Sequence, residues 1–145
     1  IADVNRSKRE LERLKRIAKA EGVYDDLRFR DQIALLEVDV VALEMLVLRV
    51  LSAEKSGKQS LDIAGLLKIR GSEIQQRYTE LMMLAAGPLT RPFIWEAMEA
   101  GWQGDYAVAA HIAPLASHYF NLRKTTIYGG SNEVQRNIVA QTVLG

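Results

Sequence analysis

Apolar residues recur every three or four positions through most of this chain, and no alternating apolar and polar run bounded by turn formers interrupts them. The pattern predicts an all-α protein. A first helix is expected from near Asn5 to near Ala20, with Leu11, Leu14, Ile17 and Ala18 on one face and Gly22 just past its end. Asp25 and Asp26 offer an N-cap for a long second helix beginning at Leu27 and ending near Glu54. Between Ile33 and Leu51 that helix is apolar on nearly every side, which predicts more than one covering neighbour, and a subunit interface could supply one of them. Residues 56–60 read as a turn, and Ser60 can cap a third helix from about Leu61 to Ala85 that Gly87 and Pro88 stop. The glycines, prolines and aromatics that follow, Trp95 and Trp102 among them, mark an irregular connection reaching Gly104. A fourth helix is expected after Asp105 and as far as Arg123, and a fifth after Gly129 and Gly130. Four long helices plus a short leading one suit an antiparallel four-helix bundle.

Composition narrows the chemistry. A chain of 145 residues, 48% apolar and 26% charged, suits one ordered domain with a sizeable core. Cysteine is absent, so neither a disulfide framework nor a thiolate metal site can form, and a reducing compartment fits. The net charge of +1 argues against a globally basic nucleic-acid binder. Residues 33–51 approach the length of a membrane span, but Glu37, Asp39, Glu44 and Arg49 would each be costly in hydrocarbon, so no span is expected. The chain begins at Ile1 without Met, which suggests a fragment, and shows no charged-then-apolar leader, so no secretory peptide is expected.

Three clusters invite functional readings. Arg6, Arg9, Arg13 and Arg16 form a stripe at helical spacing that suits phosphate or nucleic acid. Glu10 and Glu12 are interleaved, however, and no aromatics accompany the stripe for base stacking, so a solvated or intersubunit face is favoured. His111 and His118 are two helical turns apart, roughly 10 Å along an axis, too far for joint metal ligation. Packing or hydrogen-bonding histidines are expected instead, and no metal. Ser131 lacks a neighbouring His or a nucleophile-elbow pattern, which leaves a triad hydrolase without support. Met82, Met83 and Leu84 are read as core at the end of an amphipathic helix.

The stretch TTIYGGSNEVQRNIVAQTVLG carries the strongest signal. Two glycines feed a helix whose N-cap is Ser131 or Asn132. Such a junction leaves backbone N–H groups without intrahelical partners and adds partial positive charge, a plausible seat for phosphate or another electron-rich group.

From Ile127-Tyr128-Gly129-Gly130-Ser131-Asn132-Glu133-Val134-Gln135-Arg136-Asn137-Ile138 to Val143-Leu144-Gly145, this stretch resembles the closing motif of the acyl-CoA dehydrogenase family. The preceding order is similar to that family's C-terminal helical domain: a long apolar helix, a third helix carrying Lys68, then a helix with Arg123 just before the turn. The resemblance implies FAD-dependent α,β-dehydrogenation of an acyl-CoA thioester, in which a carboxylate removes the α-proton and the β-hydrogen leaves as hydride to the flavin. By position, the backbone N–H of Gly129 would donate to the thioester carbonyl. Gly130, Ser131 and Glu133 would lie by the adenosine and pyrophosphate part of FAD, with Gly87 contributing from the end of the third helix. Further implications are an electron-transfer flavoprotein or similar acceptor, a homodimer or tetramer, and a cytoplasmic location, or the mitochondrial matrix in a eukaryote.

Three departures from the family pattern stand out. Many members carry the catalytic glutamate inside this turn, where Gly129 stands here; others supply it from an earlier helix, which would lie upstream of Ile1. The Gln-x-x-Gly-Gly cofactor motif reads Met83-Leu84-Ala85-Ala86-Gly87, so only Gly87 survives. The Arg-x-x-Phe-Gly element that reaches a neighbouring subunit's FAD is not found before Leu27. The family's N-terminal helical and middle β-domains are also missing from 145 helical residues, so the chain is expected to be a C-terminal piece, inactive alone and binding FAD weakly. The absent glutamate keeps open a flavin monooxygenase or a non-catalytic partner subunit of the same fold, and the apolar second helix keeps open a pure oligomerisation bundle.

Overall fold

The computed structural model describes residues 3–55, 61–103 and 108–144, and every regular element among them is helical. Helix α1 spans Val4–Ala20, α2 Leu27–Lys55, α3 Leu61–Ala86, α4 Leu115–Leu122 and α5 Asn132–Leu144. The first three match the sequence expectation to within a residue at each described end, because local chemistry sets them. Asp3 accepts from Arg6 N–H at 2.9 Å to open α1. Asp26 accepts from the N–H groups of Arg28 and Phe29 at 2.8 and 3.2 Å to open α2. Gly22, at φ +74°, closes α1 while the Val23 and Tyr24 N–H groups return to Ala18 O. The expected turn over residues 56–60 and its Ser60 cap lie outside the described residues.

Helix α4 departs from the sequence expectation. It begins at Leu115 and has 8 residues, whereas α1, expected to be the short element, has 17. Pro114 explains this: it lacks an N–H and its ring clashes with a preceding turn, so a helix running on from Asp105 could not pass it, while the first turn of a new helix tolerates it. Asp105 itself lies outside the described residues. The connection before α4 contains two short 3-10 turns, Gly87–Thr90 and Trp95–Met98, and a third, Arg123–Thr126, continues α4 toward the glycines.

Helix α3 is the shared wall of the bundle, packed against α1, α2, α4 and α5. Cross-helix pairs show that neighbours run antiparallel: Lys8 with Glu44 and Lys15 with Glu37 between α1 and α2, Asp39 with Arg70 and Gln32 with Arg77 between α2 and α3. The core joins Leu14 and Ile17 of α1, Leu36 and Leu43 of α2, Ile74, Leu81 and Met82 of α3, and Leu115 of α4. Met82 is therefore core, as expected, whereas Leu84 is exposed. Gly65 lets α5 approach closely, since a Cβ there would lie 2.8 Å from Val139 Cγ2.

Tyr78 of α3 stacks on His118 of α4, with ring centroids 6.2 Å apart. Burial pushes the Tyr78 hydroxyl up to about 12. Burial also holds the His118 imidazole below its ordinary value; Glu10 of α1 opposes that shift, and Arg13 and Arg6 of α1 reinforce it. His111 instead meets Glu21 at 2.7 Å. Each histidine thus packs or hydrogen-bonds separately.

Two outcomes follow from this packing. The folded state disfavours imidazolium at His118, so its contribution to stability is complete above the unfolded value of 6.5 and is lost as pH falls below it. Denaturation midpoints measured from pH 7.5 to pH 5 should fall, and His118→Gln should flatten that dependence; an equal slope in both proteins contradicts the assignment. Asn132, buried at the start of α5, accepts from Lys68 Nζ at 2.7 Å and exchanges a 3.1 Å hydrogen bond with Ser72. Asn132→Ala should cost about 1–3 kcal/mol by chemical denaturation, the exposed Asn137→Ala less than about 0.5. Equal losses would contradict the tie.

Candidate functional site

The site is a turn suspended between two anchored ends. Upstream, Gln76 of α3 directs its amide at the carbonyls of Leu122 and Arg123, at 3.4 and 3.1 Å, and at Thr126 Oγ1 at 3.2 Å. Arg123 answers with a 2.9 Å hydrogen bond from Nη2 to Gln76 O, while its guanidinium lies 4.2 Å above the Tyr119 ring. The Ile127 and Tyr128 N–H groups then both donate to Lys124 O. Downstream, the Asn132 tie to Lys68 and Ser72 holds the first turn of α5 against α3.

Between these anchors Gly129 and Gly130 adopt φ +67° and +83°. An L side chain in this left-handed region costs about 1–2 kcal/mol per residue, which explains the glycine pair. A Cβ at Gly129 would meet no atom within 4 Å, whereas one at Gly130 would lie 2.5 Å from Gln135 Nε2, the flexible tip of a side chain. Both glycines are exposed, and among the described residues neither N–H has an acceptor within the chain.

Ser131 resolves the capping alternative. Its hydroxyl accepts from Val134 N–H at 3.3 Å and its carbonyl from Gln135 N–H at 2.9 Å, so Ser131 is the N-cap while Asn132 turns inward. The Glu133 carboxyl is held below its ordinary range, first by its own backbone N–H and then by the Ser131 hydroxyl. Glu133 is exposed, 4.0 Å from Arg136. The positive end of the α5 dipole, with Lys68 beneath it, is thus partly answered by Glu133 and otherwise open.

Four of the five residues singled out in the sequence, Gly129, Gly130, Ser131 and Glu133, form this one turn. Gly87 does not join them. It lies 15 positions along α3 from Ser72, about 22 Å at helical rise, and there adopts φ +59° with open space beside it. Ser72 and Gln76 were invisible as site residues, because nothing in the sequence pairs them with a turn more than forty positions away. Elsewhere, Arg13 and Arg16 of the basic stripe join His111 around a cavity of about 260 Å³. Another of about 270 Å³, lined by Leu66, Ile69, Val139 and Val143 with Arg136, opens between α3 and α5. Among the described residues no helix is long and apolar enough to cross a membrane.

The turn's chemistry is that of a preorganised donor site. The N–H groups of Gly129 and Gly130 sit between anchored neighbours beside a helix N-terminus, and the carboxylate of the turn, Glu133, lies past the N-cap in the first turn of α5. Gly129 presents no carboxylate, and the Ser131 hydroxyl is committed to its cap.

Comparison with known proteins bears on the chain as a whole. A family model described as "Acyl-CoA dehydrogenase, C-terminal domain" matches residues 6–144. The chain is 28% identical over 141 residues to acyl-CoA dehydrogenase IpdE1 of Mycolicibacterium smegmatis, an alignment that takes in 94% of this chain and 30% of that protein. The chain thus spans under a third of that relative's length. Matched from near its start to near its end and helical throughout its described elements, the chain belongs to the acyl-CoA dehydrogenase family, as its C-terminal helical domain.

Proposed function

We propose that this chain is the C-terminal part of an FAD-dependent dehydrogenase that introduces an α,β double bond into an acyl-CoA thioester. The observation that carries the reading is the exposed Gly129–Gly130 turn, whose N–H groups have no acceptor among the described residues. Gly129 N–H donates to the thioester carbonyl oxygen and stabilises the negative charge that develops there when the α-proton leaves. The absence of a Cβ lets the carbonyl approach the main chain. Because Gly129 has no side chain, a carboxylate from outside this turn removes that proton.

The open donors and the α5 N-terminus fit a nucleotide cofactor: Gly130, Ser131 and Glu133 would border FAD on one side, and Gly87 would serve a separate contact. When bound, FAD supplies the acceptor for the β-hydrogen as hydride. The chain's own part is to hold the thioester and cofactor in register and to contribute an oligomer contact. The rest of the reading is an electron-transfer flavoprotein or similar acceptor, a homodimer or tetramer, and a cytoplasmic or, in a eukaryote, mitochondrial matrix location.

A second reading, a flavin monooxygenase or a non-catalytic partner subunit of the same fold, is favoured by one observation, the missing carboxylate at Gly129. Anaerobic titration of the full-length protein with acyl-CoA thioesters of differing chain length separates the two. Bleaching of the oxidised-flavin absorbance supports dehydrogenation; no bleaching with any thioester contradicts it.

Gly129→Ala probes the donor. Its Cβ enters open space in the chain but lies on the face assigned to the thioester, so kcat should fall about 10²-fold, the scale of one lost oxyanion donor, with flavin content retained. Gly22→Ala is the matched control, since Gly22 is also left-handed and open, at φ +74°, but far from the turn. Equal kinetics in the two variants would contradict the donor role.

A further inference from the structure

Arg6, Glu10, Arg13 and Ile17 are spaced four, three and four residues apart, so they form one row along α1, and Ala20 extends it by nearly a turn. This row borders the segment that leads into α4. Arg13, Arg16, Ile17 and Ala20 enclose the cavity of about 260 Å³ together with His111, and Glu21 at the end of α1 ties His111 in place at 2.7 Å. Among the described residues no carboxylate lines that cavity, and Arg16 has no ion partner. Arg13 has only Glu10, at 3.5 Å.

Behind the row, on α3 and α4, lie two groups that the fold leaves unmatched. Tyr78 is 1% exposed, yet its hydroxyl has no hydrogen-bond partner among the described residues, and neither has the buried Nε2 of His118. Their rings stack, so both atoms belong to one region of the core, and Arg6, Glu10 and Arg13 are the charged groups that act on both. The Tyr78 hydroxyl, the His118 ring N–H and two guanidiniums all bring donors, against Glu10 alone as a charged acceptor. Buried donors without acceptors are destabilising, so their concentration here favours an incoming acceptor-rich group.

Charge and shape choose that group. With neutral imidazoles, the three guanidiniums of Arg6, Arg13 and Arg16 against the carboxylates of Glu10 and Glu21 leave one positive charge, which a monoanion balances and a phosphate dianion would overshoot. A planar carboxylate also matches a guanidinium two oxygens at a time. Ile17 and Ala20 add an apolar wall for a short hydrocarbon tail.

We propose that the cleft between α1 and the segment entering α4 binds a small aliphatic carboxylate, whose head group replaces Glu10 as the partner of Arg13 and accepts from Tyr78 and His118, while its tail lies along Ile17 and Ala20. Head and tail follow the order of these residues along the α1 row. The cleft shares no residue with the glycine turn or with the side chains that anchor it, so it stands apart from the dehydrogenase reading.

Calorimetric titration of the full-length protein with butyrate and with inorganic phosphate tests the cleft. Butyrate should saturate one site and bind about tenfold or more tighter than phosphate. Arg13→Gln and Tyr78→Phe should each weaken butyrate about tenfold, whereas Arg9→Gln, which removes an exposed charge of the same helix outside the cavity lining, should change it less than about twofold. Tyr78→Phe should fold as the parent does, because its hydroxyl has no protein partner to lose, and its denaturation midpoint without butyrate should not fall. Unsaturable butyrate binding, tighter binding of phosphate, or equal weakening by Arg9→Gln overturns the site. Binding lost in Gly129→Ala but unchanged in Tyr78→Phe places the carboxylate at the glycine turn and also overturns it. Flavin bleaching by acyl-CoA, read on the same Tyr78→Phe protein, should match the parent and reports separately on the dehydrogenase.

Discussion

Everything at the glycine turn depends on α3 gripping the chain on both sides of it. Gln76 and Arg123 exchange hydrogen bonds across the α3–α4 contact, and the Gln76 amide also takes up carbonyl groups left over where α4 passes into its 3-10 turn. Four residues earlier on α3, Ser72 receives Asn132 at the start of α5, with Lys68 one further turn back. These contacts follow one another along a single helix, so the two ends of the turn are fixed to one rigid body. The five residues between Thr126 and Asn132 have little freedom, and the N–H groups of Gly129 and Gly130 are left without an acceptor among the described residues.

That geometry has an electrostatic consequence. A donor already fixed in place need not reorganise as charge develops opposite it, and such donors contribute most where water is excluded. Here the donors are main-chain groups, whose positions follow from backbone dihedrals available to glycine and costly for other residues. Under the proposed function, the exposed turn is a half-site that a cofactor and a substrate would complete.

Helix ends were legible wherever a side chain caps them locally. Asp26 and Gly22 act within a few residues, so sequence alone placed α1 and α2 correctly. The fourth helix starts later than the sequence suggests because Asp105 resembles a cap, whereas Pro114 forbids a continuous helix past itself. The apolar girth of α2 predicts more than one covering neighbour; α1 and α3 bury one side of it, while Leu35, Val38, Val41, Met45 and Leu48 stay exposed. Gly129, Gly130, Ser131 and Glu133 were legible as one turn because they fall within five consecutive positions. Gln76, Ser72 and the inward turn of Asn132 were not, since each depends on which helix α5 comes to lie against.

The most direct measurement is a structure of the full-length protein with an acyl-CoA bound. The thioester carbonyl oxygen should lie about 2.7–3.1 Å from the Gly129 nitrogen, with flavin against the same turn. A turn packed against protein, with the thioester elsewhere and no ligand oxygen within hydrogen-bonding distance of Gly129, would contradict the assignment of these glycines as the donor site.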